Sequence, residues 1–135
     1  MAMQSPSRPP SVAVLRLVAE PGEVARARAE ARRLAARAGF SPARCADVAL
    51  AVGEICSNVV VHAYRDKPPG TFVVEIHAEP DELTVRVVDS GCGLTPRNDS
   101  PGAGYGLPLV AAIASALELR PSPTGGTDVR MAFSG

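Results

Sequence analysis

Residues 71–79 alternate between apolar and mixed positions: Phe72, Val74, Ile76 and Ala78 on one side, Val73, Glu75, His77 and Glu79 on the other. A period of two predicts a half-buried strand. Pro80 and Asp81 supply a short turn, and Leu83, Val85 and Val87 repeat the alternation up to residue 89, so the two segments predict an antiparallel hairpin. Residues 12–18 predict an earlier strand. Between these strands the pattern turns helical. Pro21 opens a helix to about residue 38, with Gly39 as its stop, and Ser41-Pro42 gives an N-cap and first-turn proline to a second helix ending near Tyr64. RDKPPG then reads as a loop, and so does the glycine- and proline-rich stretch 90–104. A third helix is predicted from about residue 106 to 117, with Pro108 tolerated in its first turn. Strands at about 118–121 and 127–133, split by a turn at 123–126, complete the series. The order β-α-α-β-β-α-β-β predicts an α+β fold: a two-layer sandwich with helices on one face of a mixed, mainly antiparallel sheet.

Composition narrows this picture. A length of 135 residues suits one core, read here as a single domain over residues 11–135 behind a flexible tail of residues 1–10. With 46% hydrophobic but only 4% aromatic residues, that core is built from Val, Ala, Leu and Ile. Fourteen basic and fourteen acidic residues cancel, which removes the electrostatic case for a nucleic-acid partner. The arginines from Arg26 to Arg37 are interleaved with alanine and with Glu30, and Glu23 precedes them, so a solvated helix face is expected there. Cys45, Cys56 and Cys92 are odd in number and form no close pair, which argues against a disulfide framework or a CxxC metal site and for a reducing, cytoplasmic setting. The leader MAMQSPSRPP has no apolar run, and no stretch is expected to reach the ~18 apolar residues of a membrane span.

Chemistry concentrates in three places. From Val48 to Ala63 the chain reads VALAVGEICSNVVVHA, with Glu54 its only formally charged residue. Asn58 and His62 follow at intervals of four, which stacks the three along one helix side. A carboxylate in such surroundings needs a ligand, an ion or a buried partner. Second, the parity of Leu83, Val85 and Val87 carries Asp89 to the helix-facing side, and that of Val129, Met131 and Phe133 does the same for Thr127. The two could grip a polar ring edge; alternatively Asp89 ends its strand and caps the next turn. Third, Asp89 opens DSGCGL, and GAGYGLPLV runs into a predicted helix start, where free N–H groups favour phosphate. A Walker loop is excluded because Lys67, the only lysine, follows Asp66, and a dinucleotide fingerprint is disfavoured because Gly102 follows the polar segment RNDSP rather than a strand.

These segments resemble the boxes of the GHKL ATPase superfamily, and specifically the RsbW-like anti-sigma factor and serine-protein kinases of bacteria. EICSNVVVHAY resembles the N-box, DSGCGL and GAGYGLPLV the two glycine boxes, and Gly125-Gly126-Thr127 the terminal GGT. The resemblance implies a Bergerat-type fold that binds ATP and Mg2+. It implies that Glu54 is the general base, that Asn58 is the magnesium ligand, and that Asp89, supported by Thr127, binds the adenine amino group. Gly91 and Gly93 would shape the adenine pocket, and Gly104, Tyr105, Gly106 and Leu107 the lid hinge and phosphate-binding helix start. His62 would face the phosphates or pack beneath the lid. Arg97 is the only cation between the glycine boxes, so a charged lid contact would depend on it or on a residue from elsewhere.

The expected function is an ATP- and magnesium-dependent serine/threonine protein kinase. By resemblance it phosphorylates a STAS-type anti-anti-sigma partner, sequesters a sigma factor and forms a homodimer, with no direct nucleic-acid or membrane partner. The alternative is a nucleotide-sensing binding module with little or no kinase activity. A stand-alone ATP hydrolase would use the same Glu54 on water.

Overall fold

The computed structural model describes residues 9–64, 68, 70–91, 106–123 and 125–135. The alternation seen in the sequence produces strands where it predicts them: β1 (Ser11–Val18), β2 (Thr71–Glu79), β3 (Glu82–Asp89), β4 (Ala116–Pro121) and β5 (Thr127–Ser134). The helices are α1 (Pro21–Arg37), α2 (Pro42–Asn58) and α3 (Leu107–Ile113), and α2 continues into a π turn over Val59–Ala63. The strands form one sheet in the order β1-β2-β3-β5-β4. All four pairings are antiparallel, so the parallel element that a mixed sheet allows for is absent among the described residues. Chain reversals explain this. Two helices separate β1 from β2, returning the chain antiparallel to its start. A single helix lies between β3 and β4, which therefore run the same way, but β5 is inserted between them and is antiparallel to both.

The core lies between the sheet and the helices. Leu17, Phe72, Val74, Ile76, Val85 and Met131 point from the sheet to Ala27, Leu34, Val48, Val52 and Ile55 of α1 and α2, and all are buried. α1 buries Val24, Ala27, Ala31, Leu34 and Ala35, a helical period that leaves its arginines in solvent. Arg26 pairs with Glu23 at 3.0 Å, and Arg33 pairs with Glu30, as expected of a solvated face. Ser41 caps α2 by accepting from the Arg44 N–H at 3.1 Å.

Two expectations are corrected. With its π turn, α2 extends over Pro42–Ala63, 22 residues that are long and apolar enough to cross a membrane by length and composition, contrary to the sequence expectation. More than half of its most apolar window is buried inside the protein, which is how the core helix of a two-layer fold reads. α3 ends at Ile113 rather than near residue 117. The alanine-rich stretch favours helix locally, but Ala116 and Leu117 pair with Ala132 and Met131, and the Ser115 N–H donates to the Ala132 carbonyl at 2.8 Å. The tail residues 1–8, Lys67, Cys92 and Arg97 lie outside the described residues.

Candidate functional site

Asp89 is the last residue of β3, the middle strand, and β5 begins beside it at Thr127. Both side chains are buried, 2% and 3% exposed, on the face toward the helices that strand parity predicts. Asp89 Oδ1 accepts from the Gly91 N–H at 2.9 Å, so this oxygen does cap the following turn. A backbone hydrogen bond from Thr127 also reaches the carboxylate. Oδ2, however, is buried without a hydrogen-bond partner among the described residues. Burial raises the Asp89 pKa above the ordinary carboxylate value, against the lowering effect of the bonds from Gly91 and Thr127. A buried acceptor in this state normally has a partner, and one that lacks it is suited to an N–H donor from a ligand.

The walls around Asp89 are backbone. A β-carbon on Gly91 would overlap the Ala63 carbonyl, and one on Gly126 would overlap the Asp89 carbonyl and lie 2.7 Å from Oδ1. Gly91 thus packs on the π turn that ends the α2 segment, while Gly126 lets β5 close on β3. Tyr64 fastens the same corner: its hydroxyl donates to the Thr71 carbonyl at 2.6 Å, and the Ser90 N–H donates to it at 3.3 Å. The helix end, the start of β2 and the residue after Asp89 are thereby tied together.

Glu54 is half-buried on α2, and Asn58, one turn on, is buried at 7% exposure. Their four-residue spacing holds them on one side of the α-helix. His62 lies in the π turn, half-buried. There four residues fall short of a full turn rather than overshooting it, so His62 is rotated back from the line that α-helical spacing draws. Gly106 stands at the start of α3 with φ 68°, a left-handed conformation, and a β-carbon on it would overlap a carboxylate oxygen of Glu54. Leu107, half-buried, follows as the first residue of α3. The structure therefore brings together Asp89, Gly91 and Thr127 at one end of the sheet, and Glu54 and Gly106 at the meeting of α2 and α3. Gly93, Gly104 and Tyr105 lie outside the described residues. No group of three or more His, Cys, Asp or Glu side chains is arranged for a metal ion among the described residues.

Sequence reasoning placed Tyr64 and Gly126 inside two of the boxes but gave neither a role in this corner. The glycine pair before β5 was a visible signal for Gly126; nothing local marks Tyr64. Cys45 and Cys56 are free thiols in the core, and burial pushes the Cys56 thiol up to about 12, away from reactivity.

Comparison with known proteins places the chain in a family. A family model described as Histidine kinase-like ATPase domain matches residues 17–133. The serine-protein kinase RsbW of Listeria innocua is 40% identical over 77 residues, 57% of this chain and 49% of the relative. The anti-sigma F factor of Caldanaerobacter subterraneus is 30% identical over 97 residues, 64% of this chain and 67% of the relative. The chain thus spans about half the length of the RsbW relatives it matches. Among solved structures, the crystal structure of the RsbU and RsbW domains of a Mycobacterium tuberculosis protein has a TM-score of 0.71 at 22% identity, over 92% of this chain and 32% of that one, a likeness of fold.

Proposed function

This chain belongs to the family of histidine kinase-like ATPase domains, and from that premise we propose that it is an ATP- and Mg2+-dependent serine/threonine protein kinase and anti-sigma regulator. The observation that carries this reading is the spare, buried Oδ2 of Asp89 beside two backbone walls that no side chain could occupy. Such an oxygen suits the exocyclic amino group of adenine, which guanine lacks at that position. Thr127 assists from the neighbouring strand, and Gly91 lets the flat ring approach the main chain.

Glu54 is the base: its carboxylate takes the proton of the acceptor hydroxyl as that oxygen attacks. Its partial burial and its contact with Gly106 restrict its orientation, which is what a general base requires. The Asn58 amide oxygen would hold Mg2+, whose charge offsets that of the phosphates. Gly106 and Leu107, at the turn into α3, keep Glu54 beside that region. A module that only sensed nucleotide would have no use for an acid at that place, which favours the kinase over the binding module.

The relatives named serine-protein kinase RsbW and anti-sigma F factor support a regulatory reading. On it, the acceptor is a serine or threonine of a STAS-type anti-anti-sigma protein, and the unmodified partner competes with a sigma factor in the cytoplasm. The test is to incubate the protein with labelled ATP, Mg2+ and STAS proteins of the same genome, beside calorimetry with ATP and with GTP. Label on a serine or threonine, together with preference for ATP, is the expected result. Binding without transfer would favour the nucleotide-sensing module, and no binding would remove the reading.

A further inference from the structure

Arg44, in the first turn of α2, makes four contacts at once. Its Nη2 donates to the Ile113 carbonyl at 2.9 Å, its Nε to the Ser134 carbonyl at 3.0 Å, and its Nη1 to Asp47 Oδ2 at 3.3 Å. The guanidinium also lies 5.9 Å from the centre of the Phe133 ring. Ile113 is the last residue of α3, so its carbonyl is one of those a helix leaves without an internal partner, at the negative end of its dipole. One planar cation therefore ties the end of α3 to the end of β5 and to α2.

The other end of α3 also meets α2, since Gly106 lies against Glu54. Glu54 is ten residues beyond Arg44, about 15 Å along the helix. The seven residues of α3 span about 10 Å. α3 thus runs antiparallel beside α2, held at its C-terminal end by polar bonds to Arg44 and stopped at its N-terminal end by the Glu54 carboxylate. A displacement at one end must be felt at the other, because a two-turn helix is too short to bend.

We propose that Arg44 is a positioning residue for Glu54: by fixing where α3 sits along α2, it fixes where Gly106 holds the Glu54 carboxylate. The inference rests on the reading of Glu54 as the base. A lysine replaces Arg44 only in part, because a single ammonium has no planar fork with which to reach two carbonyls from different elements in fixed directions. Asp89 belongs to β3 and its hydrogen bonds come from Gly91 and Thr127, so the adenine end of the pocket does not depend on Arg44.

The test compares the full chain with its Arg44→Ala, Arg44→Gln and Arg44→Lys variants. Turnover on a STAS acceptor is expected to fall about tenfold in Arg44→Ala and less in Arg44→Lys, while the Kd for ADP stays within about twofold. A part that only supported the fold would change turnover and affinity in proportion to the folded fraction, and that outcome, or unchanged turnover, overturns the proposal. If Arg44→Ala does not fold, the glutamine and lysine variants give the same ratio. Amide exchange without nucleotide supplies a second arm: the Val110 and Ala114 amides of α3 are expected to exchange about tenfold faster in Arg44→Lys, relative to those of α1. Unchanged exchange in α3 overturns the clamp itself. A wild-type protein that binds and transfers nothing refutes the proposed kinase function instead, and the exchange arm still decides whether Arg44 holds α3.

Discussion

Gly106 lies so close to Glu54 that a β-carbon on the glycine would occupy the space of a carboxylate oxygen. The glycine is also left-handed, at φ 68°. Gly106→Ala therefore meets two penalties: about 1–2 kcal/mol for the left-handed backbone, and a steric one that depends on the acid. A double-mutant cycle separates them. In the Glu54→Ala background the overlap with the carboxylate vanishes and only the residue-54 β-carbon, 3.3 Å away, remains, so the loss of thermal stability from Gly106→Ala should shrink toward the backbone penalty. Equal losses in both backgrounds would show that the two residues do not press on each other.

Glu54→Gln keeps the shape that Gly106 contacts but cannot take a proton. Phosphoryl transfer is expected to drop by at least about 100-fold, with ADP affinity within about twofold of wild type. Stopped-flow transfer and titration calorimetry on one preparation measure both. A parallel loss of affinity and turnover would assign Glu54 to binding instead.

Asp89→Asn should separate stability from recognition. Removing a buried charge with a spare oxygen is expected to stabilise the free protein by about 1 kcal/mol at neutral pH. The same change replaces an acceptor by a donor, so the preference for ATP over GTP should fall at least tenfold. Melting curves and competition binding test the two halves; a less stable variant with intact preference would contradict both.

Acid unfolding should carry two opposed contributions. Asp128, on the helix-free side of the sheet, receives Arg86 Nε at 3.0 and 3.1 Å and Nη2 at 2.9 Å. The hydrogen bonds from Arg86, then those from Arg130, hold its carboxyl below the ordinary value. Its stabilisation is complete above the unfolded pKa and disappears as pH falls through the folded one. Asp89 has the raised pKa, so its burial penalty is complete above its folded value and is relieved as pH falls toward the unfolded one. Urea unfolding from about pH 3 to pH 8 should show a gentler acid-side loss in Asp128→Asn and a steeper one in Asp89→Asn. Because the Arg86 guanidinium is half-exposed, Asp128→Asn should lose only about 1–2 kcal/mol at neutral pH.

Strand parity made much of the site readable in advance. It placed Asp89 and Thr127 on the inner face from the positions of Val85, Val87 and Val129, because a period of two is a property of the backbone and survives whatever surrounds it. The four-residue step from Glu54 to Asn58 was readable for the same reason. Where a distant segment decides the outcome, the sequence was less informative. Residues 114–117 favour helix, but β5 draws Ala116 and Leu117 into a strand. The π turn that sets the position of His62 has no local signature, and neither does the reach of Tyr64 from the helix end to Thr71 and Ser90. Nothing in the sequence singled out Arg44; its bonds to Ile113 and Ser134 join elements 69 and 90 residues away.

The insertion of β5 between β3 and β4 bears on how the protein is made. β5 is the last of the five strands to leave the ribosome, and until it does, β3 presents a bare edge to water. Asp89 is then hydrated and ionises without penalty, with Thr127 still absent from its side. On the proposed reading the pocket at Asp89 is complete only once β5 has paired with β3, and a nascent chain lacking β5 is expected to hold ATP poorly, however well its helices have already packed.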